Sequence, residues 1–449
     1  MARTLIQDGT VLTMDPDIGD LGRGDVLVDG DTIQAVGQGL DASGAEVVDA
    51  SGHVVIPGLV NTHAHLFQTA LRGVAADWTL SDYFEGMLAS LRPVFEPEDV
   101  YLGDLFGAFE QLNAGVTTVL DWCHVVNTPA HADRAVDALQ DSGIRAIYAY
   151  GPPGVDIGEW YGDSSRDHPQ DVRRMREERL DDDEARVTLG MALRGPDLST
   201  YDVTAHDIEL ARELGVLASF HIGAATYEGP GDHGVPRMAD DGLLGPDINF
   251  VHANQLTQEM YPMAADAGVS ISVTPEVEMQ MGHGLPATGK YRDAGGRWVL
   301  GSDVVSSVGS DLFSQMRIAL QTQRGLDNDE LIQAREPVED IAMEARDVLR
   351  AGTIEGAKAL GLDDRVGSLT PGKRADVTMV STEDVNTFPL VDPVATVVLH
   401  ATPGNVDRVY VDGELVKADG ELLDPAVDER RDDLAASGQR LLEDAGLRP

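Results

Sequence analysis

Lysine, cysteine and long apolar segments are all scarce in this chain of 449 residues. Its single cysteine, Cys123, excludes an internal disulfide bond and any zinc site built from several cysteines, and it fits a reducing cytoplasm. No apolar run approaches the roughly 20 residues that a membrane-spanning helix needs, and the N-terminus lacks the apolar region of a secretory signal. We therefore expect a cytoplasmic protein that does not associate with membranes.

Positive charge is also in short supply. The chain has 77 Asp and Glu against 33 Lys and Arg, which gives a formal net charge of -44. Such a surface repels a phosphate backbone, so we expect no nucleic-acid partner. Two explanations of the acidity remain open. One is adaptation to high salt, where counter-ions screen the repulsion between carboxylates. The other is a genomic preference for Arg over Lys, which explains only the scarcity of lysine.

Length and the rhythm of apolar segments predict the fold. The chain exceeds the usual size of a single core, and its two ends are rich in short strands, whereas its middle alternates strands with helical segments. Eight such strands favour an α/β fold with a (β/α)8 TIM barrel. They are predicted at 59–62, 117–120, 144–150, 187–193, 217–221, 248–252, 270–274 and 297–303. We predict a barrel domain at 58–363 and a small composite β-sandwich domain built from both termini, 1–57 and 364–449.

A His-x-His pair at the end of the first barrel strand is the first chemical signal. Residues i and i+2 of a strand point to the same face, so His63 and His65 can share one metal ion. The pair is weak on its own, because histidines at strand ends are often hydrogen-bonded rim residues. Its interpretation depends on further ligands downstream.

Further donor side chains lie at the ends of later predicted strands. His221 ends the fifth strand, His252 the sixth and Asp303 the eighth. Active sites of (β/α)8 barrels lie at the C-terminal ends of the strands, so these side chains are expected to converge with the His-x-His pair. Neutral imidazole and carboxylate suit Zn²⁺ or Fe²⁺. The sequence therefore predicts a metal centre.

Several segments resemble the amidohydrolase superfamily. They are 57–65, 71–73 and 366–376, and they are similar to the mononuclear-metal branch that contains cytosine, guanine and adenosyl deaminases and triazine hydrolases. The resemblance implies one divalent ion, Zn²⁺ with Fe²⁺ as the alternative. Its implied ligands are His63, His65, His221 and Asp303. Some members bridge two metals through a carboxylated lysine, but no lysine occurs in 1–289, which favours a single ion.

The resemblance also implies catalytic roles for two of these side chains and shows one departure. His252 would orient the attacking water or polarise the substrate, and Asp303 would act as general base. Deaminases of this branch carry a glutamate three residues after the fifth-strand histidine, where this chain has Ala224. Loss of such an acid costs about 10²–10⁴ in rate. Glu278, after the seventh strand, is the predicted replacement, with Glu276 as a second candidate; solvated surface acids are the alternative.

Four other side chains are predicted to bind substrate. Arg194 ends the fourth strand and could hold a carboxylate or carbonyl oxygen, although an ion pair with one of the many acids is the alternative. Gln68 and Trp78 lie on the loop after the first strand, where simple packing is the alternative. His283 follows the seventh strand.

Taken together, these features predict a metal-dependent hydrolase of the deaminase type, in which activated water attacks a C–N bond of a small heterocyclic substrate. One alternative keeps the fold but changes the leaving group or bond, as in triazine dechlorination, amine removal or the opening of a cyclic amide. Another is a catalytically silent scaffold. We expect a homodimer or higher homo-oligomer, since dimers are the commonest closed assembly.

Overall fold

The computed structural model describes residues 3–224 and 233–447. Two compact units divide the chain. The first comprises 1–61, 110–118 and 311–424, and the second comprises 62–109, 119–310 and 425–449. The sequence predicted other bounds, 1–57 with 364–449 for one domain and 58–363 for the other. These domain bounds remain a prediction.

Strands of the described residues form two sheets. In chain order they are β1 (Arg3–Val11), β2 (Leu21–Asp29), β3 (Thr32–Gly37), β4 (Glu46–Asp49), β5 (His53–Pro57), β6 (Leu59–Ala64), β7 (Val116–Cys123), β8 (Arg145–Tyr150), β9 (Val187–Leu193), β10 (Ala218–Ile222), β11 (Ile248–His252), β12 (Ser270–Val273), β13 (Arg297–Leu300), β14 (Val377–Ser381), β15 (Val406–Val411), β16 (Glu414–Ala418) and β17 (Glu421–Leu422).

One sheet has nine strands and draws them from both ends of the chain. Its order is β17-β16-β15-β14-β5-β1-β2-β3, with β4 paired to β1. The pairing of β5 with β14 joins the early strands to the late ones, with Val55 opposite Met379. Both side chains lie in a buried apolar cluster of this sheet. Burial of apolar surface therefore holds the two ends of the chain in one sheet.

The other sheet is an eight-stranded barrel in chain order, β6 to β13. Its strands are parallel and almost fully buried, as expected when both faces of a sheet are covered. Main-chain hydrogen bonds link its first and last strands. The N–H groups of Ser302 and Asp303 donate to the carbonyl of His63 at 3.0 Å, and the N–H of His65 donates to the carbonyl of Asp303 at 3.0 Å. The barrel is thereby nearly closed.

These observations confirm the predicted α/β fold, its (β/α)8 TIM barrel and the β-structure built from both termini. All eight barrel strands occur where they were predicted, with ends displaced by at most three residues. The eighth ends three residues earlier than predicted, at Leu300, and Asp303 lies in the loop that follows.

Helices complete the fold. They are α1 (Leu80–Tyr83), α2 (Pro97–Asn113), α3 (Pro129–Ser142), α4 (Ile157–Trp160), α5 (Asp171–Arg174), α6 (Tyr201–Leu214), α7 (Val235–Asp240), α8 (Met260–Asp266), α9 (Pro275–Gln280), α10 (Thr288–Asp293), α11 (Leu312–Gln333), α12 (Ala345–Ala351), α13 (Ile354–Ala359), α14 (Pro393–Ala395), α15 (Ala426–Glu429) and α16 (Arg431–Asp444). Short 3-10 or π segments lie at Leu66–Leu71, Phe84–Leu91, Arg92–Val94, Met175–Arg179, Thr396–His400 and Pro403–Asn405. Among the described residues, no helix combines the length and the apolar character needed to cross a bilayer.

Left-handed backbone conformations occur at the ends of two barrel strands. His252 and Ala253, at the end of β11, have φ of 70° and 57°, and Asp303, after β13, has φ of 62°. Non-glycine residues in this left-handed region cost about 1–3 kcal/mol each, and they persist where the surrounding structure requires them. Two predicted functional side chains are therefore held in backbone conformations that these residues rarely adopt.

Candidate active site

Three imidazoles and one carboxylate meet at the C-terminal end of the barrel. The side chains of His63, His65, His221 and Asp303 bring one donor atom each to within 4.8 Å of all the others. Oδ1 of Asp303 lies 3.3 Å from Nε2 of both His63 and His65. The structure thus brings together the four side chains that the sequence predicted as metal ligands.

The orientation of His65 is fixed by the main chain of β7. Its Nδ1 lies 2.7 Å from the carbonyl oxygen of Trp122, which can only accept a hydrogen bond. Nδ1 therefore carries the proton and Nε2, which faces Asp303, keeps its lone pair. A carbonyl acceptor behind a histidine is the usual way to orient a metal-binding imidazole. Gly301, directly after β13, lets the chain pass close to His63, because a Cβ at position 301 would lie 2.8 Å from the carbonyl oxygen of His63.

The electrostatics of this cluster favour the ionisation states that metal ions need. Burial lowers the pKa of His63 to about 4 and holds the pKa of His221 well below its usual value. Burial opposes ionisation of Asp303, but its interactions with the neighbouring imidazoles, chiefly those of His63 and His65, outweigh it and hold the pKa of that carboxyl well below its ordinary range. Neutral imidazoles and an ionised carboxylate are the forms that bind a divalent ion. The donor set therefore fits one metal ion.

A second group of side chains lies beside this cluster. Nε2 of His252 is 3.7 Å from Oδ2 of Asp303, and its Nδ1 is 3.3 Å from Oε1 of Glu278 and 3.0 Å from the hydroxyl of Thr274. Glu278 is completely buried, and Oε1 accepts a 2.8 Å hydrogen bond from the N–H of Thr274. Burial raises the pKa of Glu278 to about 7. This carboxyl can therefore hold a proton near neutral pH.

A cavity of about 440 Å³ opens onto the cluster. Aromatic side chains form much of its wall, among them Tyr83, Phe84, Trp122 and Tyr161. Its polar end is lined by His65, His221, His252, His283 and Asp303. A mostly apolar cavity with a few convergent polar groups is the usual form of a small-molecule site. The cluster therefore faces a space that suits a heterocyclic ring.

Sequence comparison assigns the family. The sequence model of the amidohydrolase family matches residues 54–416. The chain belongs to the amidohydrolase family. Among curated relatives, it is 31% identical to the 5-methylthioadenosine/S-adenosylhomocysteine deaminase of Symbiobacterium thermophilum over 93% of this chain and 94% of that protein. It is 28% identical to the 5'-deoxyadenosine deaminase of Methanosarcina mazei, covering 96% of each.

Solved structures share the fold of this amidohydrolase. An adenosine deaminase from Xanthomonas campestris with bound zinc superposes with a TM-score of 0.80 at 24% identity, covering 99% of each chain. An atrazine chlorohydrolase from Arthrobacter aurescens complexed with zinc gives 0.84 at 24% identity, covering 98% of this chain and 100% of that one. With its family and its donor set, the chain is a metal-dependent hydrolase of carbon–nitrogen bonds, as the sequence predicted.

Arg194 does not line the cavity of this amidohydrolase. It is 1% exposed, and its guanidinium donates to the hydroxyl of Ser164 at 2.9 Å and to Asp207, on α6, at 3.3 Å. The ion pair considered as the alternative to a substrate contact is thus what the structure contains. The guanidinium of Arg194 therefore has its partners in the protein interior and does not face the space for substrate.

We predict that Arg194→Leu lowers the free energy of unfolding by about 3–5 kcal/mol, because it leaves the carboxylate of Asp207 buried without its cation. Urea unfolding followed by circular dichroism measures this. Arg173→Leu is the control. It breaks an exposed ion pair with Glu213, which lies on α6 as Asp207 does, and should lower the free energy of unfolding by less than about 1 kcal/mol. Equal effects of the two substitutions would contradict the structural role of Arg194.

The other predicted substrate residues differ in placement. His283 lines the cavity, with its ring 4.7 Å from that of His252. Gln68 is fully buried behind the wall, where it donates to the hydroxyl of Tyr83 at 2.6 Å and accepts from Ser306 at 2.6 Å. Trp78 is half-buried and packs over Gly86 rather than lining the cavity. Only His283 of these three therefore faces the space for substrate.

Sequence reasoning missed Asp197. It lies on the loop after β9, lines the cavity, and accepts a 2.7 Å hydrogen bond from the N–H of Gly223, next to Ala224. The only available signal was its position four residues after the end of a barrel strand, within Gly-Pro-Asp. Arg194 lies directly after β9, which is the position that strand-end reasoning favours.

Proposed function

We propose that this amidohydrolase removes ammonia from an amino-substituted heterocycle, with an adenine nucleoside as the first substrate to test and zinc as the metal. The observation that carries the proposal is the set of three imidazoles and one carboxylate, with donor atoms within 4.8 Å, at the end of a 440 Å³ cavity with aromatic walls. Full-length similarity to deaminases of 5'-deoxyadenosine and 5-methylthioadenosine supports this substrate class. Triazine-type removal of another leaving group is the outcome that the test must separate.

His63, His65, His221 and Asp303 would hold the metal in this proposal. When bound, such an ion lowers the pKa of a water toward about 7 and supplies the nucleophile. Asp303 has one carboxylate oxygen among the donor atoms and the other facing His252. That second oxygen can take the proton that the nucleophile loses and pass it to the departing amine. The carboxylate then returns to its ionised state.

Protonation of the substrate ring needs an acid, and the side chain of Ala224 cannot supply a proton. We assign this task to Glu278 and His252 together. His252 lines the cavity, and in this proposal its Nε2–H donates to a ring nitrogen, while its Nδ1, 3.3 Å from Oε1 of Glu278, recovers a proton from the protonated carboxyl. Glu278 itself is behind His252 and does not line the cavity. It acts as the proton reservoir, and His252 as the group that touches substrate.

Metal removal is the direct test of the centre. We predict one equivalent of metal per chain, loss of ammonia release after dialysis against a chelator, and recovery when Zn²⁺ is returned. Elemental analysis and an ammonia assay on a panel of aminopurines and aminotriazines measure these. Recovery with Fe²⁺ but not Zn²⁺ would overturn the choice of metal. Product formation without ammonia would favour another leaving group. The cytoplasmic location and the homo-oligomeric state stay predictions.

A further inference from the structure

Asp197 brings a carboxylate into the cavity at some distance in sequence from the metal-binding set. Its Oδ1 lies 2.7 Å from Nδ1 of His233, and its Oδ2 accepts the N–H of Gly223 at 2.7 Å. The side chain of Asp197 is 15% exposed and that of His233 is 4% exposed. Each oxygen of a carboxylate has about two acceptor sites, so each retains one after these contacts. Asp197 is therefore rigidly held and still able to accept hydrogen bonds from a ligand.

The described part of the cavity lining carries no Lys or Arg side chain. Residues 225–232 lie outside the described residues, and their sequence also contains no Lys or Arg. Arg92 is fully buried and donates to the carbonyl of His124 at 2.7 Å and to the hydroxyl of Tyr161 at 2.8 Å, so its guanidinium is engaged behind the wall. Apart from the metal ion of the proposed centre, the described lining therefore offers an anionic group of a substrate no cation to bind.

We infer that the cavity selects heterocyclic substrates that carry no anionic group, and that Asp197 binds a hydrogen-bond donor of the substrate, such as a hydroxyl, an amino group or a protonated nitrogen. This inference rests on the proposed function and narrows its substrate class. A carboxylate or phosphate placed about 6 Å from Asp197 would be repelled strongly enough to lower binding about 100-fold at an effective dielectric constant near 20. Neutral nucleosides would thus be accepted, and nucleotides would be rejected.

The experiment compares matched ligands on the zinc-loaded full chain, by ammonia release and by isothermal titration calorimetry. Adenosine and 5'-deoxyadenosine are the neutral probes, and adenosine 5'-monophosphate and adenosine 5'-diphosphate are the anionic ones. We expect kcat/KM and affinity for the neutral probes to exceed those for the anionic ones by about 100-fold. Equal affinities, or no binding of either neutral probe, would overturn the inference. Binding with this preference but no ammonia release would support the inference and refute the proposed function.

Asp197→Asn tests which side chain makes the selection. The substitution keeps size and removes the charge, so we expect the neutral-to-anionic ratio to fall at least tenfold, mainly through weaker binding of the neutral probes and easier entry of the anionic ones. Asp202→Asn is the matched control, because the side chain of Asp202 is 93% exposed on α6 and lies 3.7 Å from that of Arg237. An unchanged ratio in Asp197→Asn would remove Asp197 from the selection. The wild-type comparison stands even if that variant fails to fold.

Discussion

Asp303→Asn is expected to abolish turnover, lowering kcat/KM by about 10⁴-fold or more. The carboxylate is both a member of the metal-binding set and the proposed base, with Oδ1 at 3.3 Å from two imidazoles and Oδ2 facing His252. An amide keeps the shape but cannot accept the proton of the nucleophile. Asparagine is chosen because it tolerates the left-handed backbone, with φ of 62°, that Asp303 adopts. Steady-state ammonia release and the metal content of the purified variant measure the effect.

The matched control for this substitution is Asp419→Asn. Asp419 also has a left-handed backbone, with φ of 53°, but its side chain is 84% exposed and lies in the nine-stranded sheet's unit. The control makes the same chemical change at the same kind of backbone site, and its kcat/KM should stay at the wild-type value. Wild-type turnover in Asp303→Asn with full metal content would refute the assignment of Asp303 as base.

Strand placement in the barrel could be predicted from the sequence because most strands are short, mostly apolar runs. β9 is an example: six of the seven residues of Val187–Leu193 are buried, and the seventh, Thr188, is its one polar residue. The polar residue that follows such a run is at the C-terminal end of the barrel by topology alone. His63, His65, His221, His252 and Asp303 were found in this way. No knowledge of their distances was needed.

The wall of the cavity could not be predicted by the same reasoning. Tyr83, Tyr161 and Asp197 come from connecting segments, whose course depends on contacts far along the chain. Arg194 shows the opposite error. It lies where a site residue is expected, but its guanidinium forms a buried ion pair with Asp207, thirteen residues further along the chain. Strand-end position therefore identifies candidates, and only the partners of each side chain decide which of them faces a ligand.

The position of Glu278 shows where sequence and structure each contributed. The sequence pointed to Glu278 because Ala224 left the site without an acid. The structure adds that the carboxyl is buried, that its pKa is raised to about 7, and that His252 lies between it and the cavity. A group of ordinary pKa could not keep its proton at neutral pH. Burial is thus what makes this glutamate suitable for the missing role.

Glu278→Gln is expected to lower kcat/KM by about 10²–10⁴-fold, because the amide can still accept the N–H of Thr274 but cannot release a proton to His252. The raised pKa means that the wild-type carboxyl is protonated below pH 7 and loses its proton as the pH rises through about 7. Wild-type activity should therefore decline above pH 7, and this alkaline limb should vanish in the variant. Glu276→Gln, the same change two residues away on a half-buried side chain, is the control and should keep both rate and pH profile. An unchanged rate in Glu278→Gln would refute the role of Glu278 as proton reservoir. The next candidate for the acid would then be His283, whose ring lies 4.7 Å from that of His252.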